Sequence, residues 1–254
     1  MIWCWKKVCK MSAVKSVEAN ALETEMAAIG ANARAAAHVL AVTPAIQKRR
    51  AIEAAADALA AARQTIIQAN EKDMAQARDA NLNAAMLDRL ALDGERIDGM
   101  IQGLRDVAVL DDPVGRILDE RTRPNGLRIQ RVSVPVGVIG IIYESRPNVT
   151  ADAGALCVMS GNAAILRCGS ESFNSSHAIA ACLRSGLKSA DLPEDCIQII
   201  PTTDRAAVGI LLAMDGDVDI IVPRGGRSLI ERVKEESRIP VLAHLDGICH
   251  VYVH

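Results

Sequence analysis

Four short apolar runs in the second half of the chain constrain its fold more than any other feature. They do not alternate with polar residues, and they are VPVGVIGII (134–142), AAILRC (163–168), CIQIIP (196–201) and VDIIVP (218–223). Helical patterns follow them near 148–160, 172–187, 204–213 and 226–236. Unalternating strands that alternate with helices are typical of a parallel sheet covered on both faces. We therefore predict an α/β fold with a doubly wound parallel sheet.

The first half of the chain has a different character. Residues 12–111 consist mainly of strong helix formers, which predicts a helical N-terminal region. The sequence RPNG (123–126) then carries an Asn-Gly turn signal between two segments of alternating polarity. This pattern predicts a β-hairpin. Such an arm serves either as an oligomer contact or as surface decoration.

Composition excludes several classes of partner. The chain has 31 acidic and 29 basic residues, a formal charge of -2, which gives no reason to expect nucleic acid or a membrane surface as partner. No run reaches the roughly 18 uninterrupted apolar residues of a membrane span. Seven cysteines, an odd number without a CxxC pair, indicate thiols in a reducing compartment. We expect a cytoplasmic protein without a metal site.

Ligands of a doubly wound sheet bind at the carboxyl ends of its strands. The sequences there are YESRPN (143–148), RCGSES (167–172), PTTDR (201–205) and PRGGRS (223–228). Free N–H groups at a helix N-terminus beside an arginine make a phosphate site. We expect Gly169 to let the backbone approach a ligand, Ser170 to cap the next helix, and Gly225 and Gly226 to lie beneath a diphosphate. The alternative is that these are ordinary turn glycines and solvated arginines.

The segment from VPVGVIGIIYESRPN to RCGSES (134–172) closely resembles the gamma-glutamyl phosphate reductase family, within the aldehyde dehydrogenase superfamily. PRGG (223–226), HLDG (244–247) and CHVYV (249–253) agree with it. The resemblance implies NADPH-dependent reduction of L-glutamate 5-phosphate to L-glutamate 5-semialdehyde with release of phosphate, in proline biosynthesis. It also implies a small-molecule substrate and a homo-oligomer when full-length.

The resemblance also implies how NADP(H) is held. Arg167 stands where the superfamily has a lysine that holds the adenosine ribose. Ser170 stands where many NAD-preferring members carry an acidic residue that grips both ribose hydroxyls. A carboxylate there would repel a 2′-phosphate, whereas Ser170 beside Arg167 accommodates it. Cys168 departs from the glycine that is usual in the family, and its side chain is expected to crowd the ribose.

The substrate end of the site is less well defined by the resemblance. The superfamily's oxyanion-holding asparagine lies in a Trp-Asn dipeptide that YESRPN lacks, and a gapless count from SGN (160–162) reaches Glu144 rather than Asn148. Asn148 is either the oxyanion donor or the cap of the following helix. Arg146 is expected near the substrate carboxylate or phosphate, with Glu144 beside it.

Cys249 and His250 look like a thiol and its base, but neighbouring residues on a strand point to opposite faces. In the family, the nucleophilic cysteine follows HLDG by some tens of residues in a Val-Cys-Asn context. We therefore expect the chain to end before its nucleophile, with His244 in the place of the superfamily's general base. The alternative is a non-catalytic nucleotide-binding or oligomerising module derived from the enzyme.

These arguments divide the chain into five parts. They are an N-terminal extension upstream of a start at Met11 (1–11), a helical region packed on the cofactor domain (12–111), the hairpin arm (112–133), an NADP-binding Rossmann-like domain (134–240) and the start of a truncated catalytic domain (241–254).

Overall fold

The N-terminal part of the chain is helical. A computed structural model describes the backbone of residues 2–243 and of Tyr252, and the side chains from Asn20 onward. The helices before the first strand are α1 (Ile2–Ala41), α2 (Ala45–Ala61), α3 (Arg63–Asp79), α4 (Ala84–Leu90) and α5 (Gly94–Ala108). The predicted helical region is therefore confirmed.

The predicted hairpin follows α5. Strand β1 (Ile117–Thr122) pairs antiparallel with β2 (Arg128–Val132), so that Thr122 faces Arg128 across the turn. Gly126 adopts a φ of 84° in that turn, a conformation that favours glycine. Both strands are exposed along their whole length. The hairpin thus projects from the rest of the chain.

A parallel sheet forms the second half of the molecule. Its strands are β3 (Val138–Tyr143), β4 (Ala163–Arg167), β5 (Ile197–Ile199) and β6 (Ile220–Arg224), in the order β5-β4-β3-β6. The helices between and after them are α6 (Asn148–Met159), α7 (Phe173–Ser189), α8 (Ala206–Leu212) and α9 (Arg227–Glu236). The α/β prediction is confirmed. Strand β3 begins four residues into the apolar run 134–142, because Gly137 turns the chain with a φ of 128°.

Helices cover both faces of the sheet. One apolar cluster joins α6 and α7 to one face, with α2, α3 and α5 behind them. The other cluster joins α1, α8 and α9 to the opposite face. A Cβ atom at Gly186 in α7 would lie 2.5 Å from both the Ala51 carbonyl oxygen and the Ala55 nitrogen of α2. The alanine-rich character of α2 therefore lets two helix backbones approach closely.

A buried carboxyl group links the helical region to the sheet. Asp73 of α3 is fully buried, and one of its oxygens accepts hydrogen bonds from the backbone and side-chain nitrogens of Asn174, at 3.1 and 2.8 Å. The other accepts from the Ser175 nitrogen and hydroxyl, at 2.7 and 2.6 Å. A helix N-terminus leaves such N–H groups unpaired and favours negative charge. Asp73 therefore caps α7 from a distant part of the chain.

We expect Asp73→Asn to destabilise the chain by about 2–4 kcal/mol, because an amide leaves one Ser175 donor facing another donor in a buried site. Urea unfolding followed by circular dichroism measures this loss. Asp57→Asn is the matched control, since Asp57 is exposed on α2 and makes one long contact with Arg105, at 3.4 Å. It should change stability by less than about 0.5 kcal/mol. Equal effects of the two variants would contradict the capping role.

Candidate functional site

The sheet order places three loops around one cavity. Strand β3 lies between β4 and β6. The chain adds β4 and β5 on one side of β3 and then returns to add β6 on the other side. Such a switch point opens a crevice at the carboxyl ends of the strands. A cavity of about 340 Å³, which we call the strand-end cavity, lies there. Its charged and glycine lining comprises Glu144, Arg167, Gly169, Glu171, Arg205 and Arg232.

Arg167 ends β4 at the floor of the strand-end cavity. Its side chain leaves 7% of the residue exposed and donates to the carbonyl oxygens of Cys168 and Thr203, the latter at 3.2 Å. The guanidinium Nε has no hydrogen-bond partner within the part of the chain that the structure describes. A buried donor without a partner is costly, and a bound acceptor would relieve that cost.

Gly169 and Ser170 follow Arg167 into the next helical turn. A Cβ atom at Gly169 would lie within 2.5 Å of the Glu171 carboxyl group. Ser170 is exposed and begins a short 3₁₀ turn, Ser170–Ser172. The expectation that Ser170 caps the next helix is wrong, since α7 begins at Phe173 and Asp73 bonds its first N–H groups.

Gly225 and Gly226 lead into α9, as predicted. Gly226 is the N-cap residue of that helix, and its N–H donates to Glu144 Oε2 at 3.0 Å. A Cβ atom at Gly225 would lie 2.5 Å from the same Glu144 oxygen. The Glu144 carboxylate therefore lies at the position of α9 where an anion is best stabilised.

Ser145 turns the chain between Glu144 and Arg146. Its φ of 47° lies in the left-handed region, which is uncommon for residues other than glycine. Glu171 holds this conformation, because its Oε1 accepts from the Ser145 nitrogen at 2.5 Å and from the hydroxyl at 2.8 Å. Glu144 and Arg146, on either side of this turn, both line one cavity, and each also lines a second cavity that the other does not.

Two further cavities lie next to the strand-end cavity. The central cavity, about 480 Å³, includes Glu144, Arg146 and Gly226 in its lining. The outer cavity, about 430 Å³, includes Arg146, Asn148 and Asp152. Glu144 lines both the strand-end and the central cavity, and Arg146 lines both the central and the outer one. The three cavities therefore adjoin.

Asn148 is the first residue of α6 rather than its cap. The N-cap position is Pro147, and no side chain caps the helix. The Asn148 side-chain nitrogen instead donates to Asp152 Oδ2 at 3.2 Å, one turn later. The capping alternative is therefore wrong, and the amide faces the outer cavity beside a carboxylate.

The described cysteines all lie in the core. Cys157, Cys168, Cys182 and Cys196 are buried and free. Burial raises the pKa of Cys168 to about 11 and that of Cys157 to about 12, so both thiols are protonated at neutral pH. Cys168 packs into the apolar cluster and is absent from the lining of the strand-end cavity. His244 and Cys249 lie outside the described residues.

Metal and membrane features are absent from the described part of the chain. Within residues 20–243, no three His, Cys, Asp or Glu side chains come together in a way that would hold a metal ion. Among the described helices, none has the length and hydropathy that a membrane crossing needs.

Sequence reasoning missed several of the charged residues that line these cavities. Arg205 follows β5 in the stretch PTTDR, but nothing there singled it out from a solvated arginine. Arg232 lies in the second turn of α9, where only the three-dimensional path of the helix brings it to the strand-end cavity. Glu171 and Asp152 are isolated acidic residues in otherwise small or apolar segments. The helical spacing of Asn148 and Asp152 was the available signal for the last.

Comparison with known proteins agrees with this arrangement. The sequence matches the aldehyde dehydrogenase family over residues 9–254. The chain belongs to the aldehyde dehydrogenase family. A gamma-glutamyl phosphate reductase of Rhodospirillum rubrum is 60% identical over 226 residues, which are 89% of this chain and 53% of that protein. One from Brucella anthropi is 55% identical over 240 residues, 94% of this chain and 56% of that protein.

Solved structures give the same result for the fold. The crystal structure of gamma-glutamyl phosphate reductase from Thermotoga maritima matches with a TM-score of 0.84 and 40% identity, over 86% of this chain and 53% of that one. The resemblance drawn from the sequence is confirmed, and the fold is that of the aldehyde dehydrogenase family. The chain spans about half the length of the curated relatives it matches.

We expect Asp152→Asn to stabilise the folded chain at pH 7. Burial raises the pKa of Asp152, and the hydrogen bond from Asn148 lowers it by less. The folded state therefore holds this proton more tightly than the unfolded state, so stability decreases as pH rises from the unfolded value, about 4, through the folded value. Asparagine keeps the acceptor for Asn148 and removes that loss.

Thermal unfolding from pH 4 to pH 7 measures the effect. The midpoint of Asp152→Asn should exceed that of the unchanged chain at pH 7, and the difference should shrink towards pH 4. Arg89, Arg146 and the ion pair of Asp88 with Arg96 face the same cavity and are unchanged in this comparison. A variant that is less stable at pH 7 would contradict the argument.

Proposed function

We propose that this chain is the cofactor-binding portion of an NADP(H)-dependent reductase. The enzyme would reduce L-glutamate 5-phosphate to L-glutamate 5-semialdehyde and release phosphate. This reaction would belong to proline biosynthesis in the cytoplasm. The relatives that carry the name gamma-glutamyl phosphate reductase support this assignment at 55–60% identity. The five-part division given above, with the hairpin arm as an oligomer contact, belongs to the same proposal.

The observation that carries the proposal is the positive charge around the strand-end cavity. Arg167, Arg205 and Arg232 line it together with Glu144 and Glu171. Arg232 pairs with Glu236 at 2.9 Å, whereas the Arg205 side chain has no hydrogen-bond or ion-pair partner among the described residues. Guanidinium groups are well suited to phosphate oxygens because they donate in a planar fork. This charge favours a cofactor with a 2′-phosphate over one without it.

The residues fit such a cofactor. The unpaired Nε of Arg167 offers a buried donor. The carboxyl groups of Glu171 and Glu144 lie against Gly169 and Gly225, so a ligand that approaches this backbone has to displace them. In the proposal, Arg167 and Ser170 hold the ribose, and the N–H groups at Gly225 and Gly226 hold the diphosphate. When bound, the nicotinamide supplies the hydride. Asn148 is proposed as the oxyanion donor, and Glu144 and Arg146 as substrate contacts.

A non-catalytic nucleotide-binding module is the second candidate. The state of the thiols favours it, because each of the four described cysteines is buried and burial raises the pKa of each one. A thiol must ionise to attack a carbonyl carbon. The two candidates differ in turnover. NADPH formation from L-glutamate 5-semialdehyde, phosphate and NADP by the 254-residue chain would exclude the module.

We expect Arg205→Ala to weaken NADPH binding by about tenfold and to leave NADH binding nearly unchanged, because one charge-assisted contact to the 2′-phosphate is lost. Fluorescence titration of both cofactors measures the ratio. Arg205 is exposed at the start of α8, so its removal should not unfold the chain. Arg123→Ala, at the exposed hairpin tip, is the matched control. Equal loss for both cofactors would contradict the assignment of a 2′-phosphate site.

Glu144→Gln should strengthen NADPH binding by roughly two- to tenfold. A diphosphate that binds the Gly226 N–H has to displace the Glu144 carboxylate, which is 3.0 Å from that nitrogen. Glutamine keeps the length of the side chain and removes its charge. The same titration, repeated at two salt concentrations, measures the change. Weaker binding by Glu144→Gln would mean that Glu144 contacts the ligand instead of competing with it.

A further inference from the structure

The outer cavity carries charges of both signs. Its charged lining comprises Asp88, Arg89, Arg96, Arg146 and Asp152. It adjoins the central cavity through Arg89 and Arg146, which line both. A ligand that extends from the Gly226 end of the central cavity would therefore reach the outer cavity past these two arginines.

Only some of these charges are neutralised within the protein. Arg96 pairs with Asp88 at 2.7 Å, and it also donates to the Ala91 carbonyl oxygen at 2.9 Å. The side chains of Arg89 and Arg146, by contrast, have no hydrogen-bond or ion-pair partner among the described residues. Arg146 is half-buried, where a guanidinium without an anion is unfavourable. The cavity lining thus carries two guanidinium groups that no carboxylate of the described residues neutralises.

Asp152 is the complementary negative group. It is half-buried on α6, and its one hydrogen bond comes from the neutral amide of Asn148. No cation pairs with it in the described part of the chain. A carboxylate held in this way is unfavourable for the empty protein and favourable for a cationic ligand group.

We propose that the outer cavity binds the head group of an α-amino acid, with Asp152 recognising the ammonium group and Arg89 with Arg146 recognising the α-carboxylate. An α-amino acid carries an ammonium and a carboxylate group on the same carbon, and one unpaired carboxylate beside two guanidinium groups complements this pair of opposite charges. This inference rests on the proposed function, because it takes the bound ligand to be the amino-acid substrate of that reaction. It assigns to Asp152 the selection of amino acids over simple dicarboxylic acids.

The test is calorimetric titration of the 254-residue chain, with and without saturating NADPH, using three probes. L-glutamate carries both head-group charges, glutarate lacks the ammonium group, and 4-aminobutyrate lacks the α-carboxylate. The unchanged chain should bind L-glutamate more tightly than either of the others. Asp152→Asn should weaken L-glutamate binding by roughly ten- to a hundredfold and leave glutarate binding unchanged. Arg89→Gln should weaken L-glutamate and glutarate but not 4-aminobutyrate.

Asp88→Asn is the matched control, because its carboxylate lines the same cavity but is already paired with Arg96. It should leave all three affinities within about twofold of the unchanged chain. Because Asp152→Asn keeps the acceptor for Asn148, a melting curve can verify that the variant is folded. Loss of L-glutamate and glutarate binding in equal measure would overturn the assignment of Asp152, as would failure of the folded chain to bind L-glutamate.

These outcomes are separate from those of the proposed function. A chain that binds NADPH but does not distinguish L-glutamate from glutarate would overturn this inference and leave the cofactor assignment intact. A chain that distinguishes them without cofactor, and never binds NADPH, would support the amino-acid site and overturn the proposed reductase.

Discussion

The hydrogen bonds of Asp73 at the start of α7 are the interaction on which the arrangement of the two halves depends. Asp73 lies in the helical region, and the groups that it bonds lie about a hundred residues later, after the second strand of the sheet. Because the site is buried, water cannot replace these bonds. The helical region therefore has one position on the sheet in which the N-terminus of α7 is satisfied. Asn70, one helical turn earlier, extends the constraint to the connection between α4 and α5 by accepting from the Leu92 nitrogen at 2.8 Å.

The same interaction determines where an anion can bind. The N-terminus of α7 lies at the ligand edge of the sheet but is closed, since Asp73 accepts four hydrogen bonds there. At the N-terminus of α9, the Gly226 N–H donates to Glu144, a side chain at the rim of two cavities. A contact at an accessible rim is far easier to exchange than four hydrogen bonds in the core. The difference leaves α9 as the helix end that is open to a phosphate.

How well the sequence predicts each feature depends on how far apart along the chain the interacting residues lie. Strands β3 and β4 and helices α6 and α9 follow from local periodicity, since burial on both faces requires unbroken apolar runs. The strand order β5-β4-β3-β6 cannot be predicted from local sequence patterns. The prediction for Ser170 failed because Asp73, distant in the chain, had already taken the role of the cap. Gly226 was predicted to meet a diphosphate, but its contact with Glu144, 82 residues earlier, could not be predicted from spacing. The position of Asp152 in the same cavity as Arg146 depends on the path of α6 and could not be predicted from the sequence.

The close approach of α2 and α7 at Gly186 has a mechanical consequence. At this point of contact, Gly186, Ala51 and Ala55 have no side-chain rotamers, so the two backbones cannot move closer or apart here by changing rotamers. The spacing of α2 and α7 is therefore fixed at Gly186. Long side chains with many rotamers, such as Arg205 and Glu144, lie at the opposite edge, around the cavities. We therefore expect local adjustment to a ligand at the rim of the site, and not at the contact between α2 and α7.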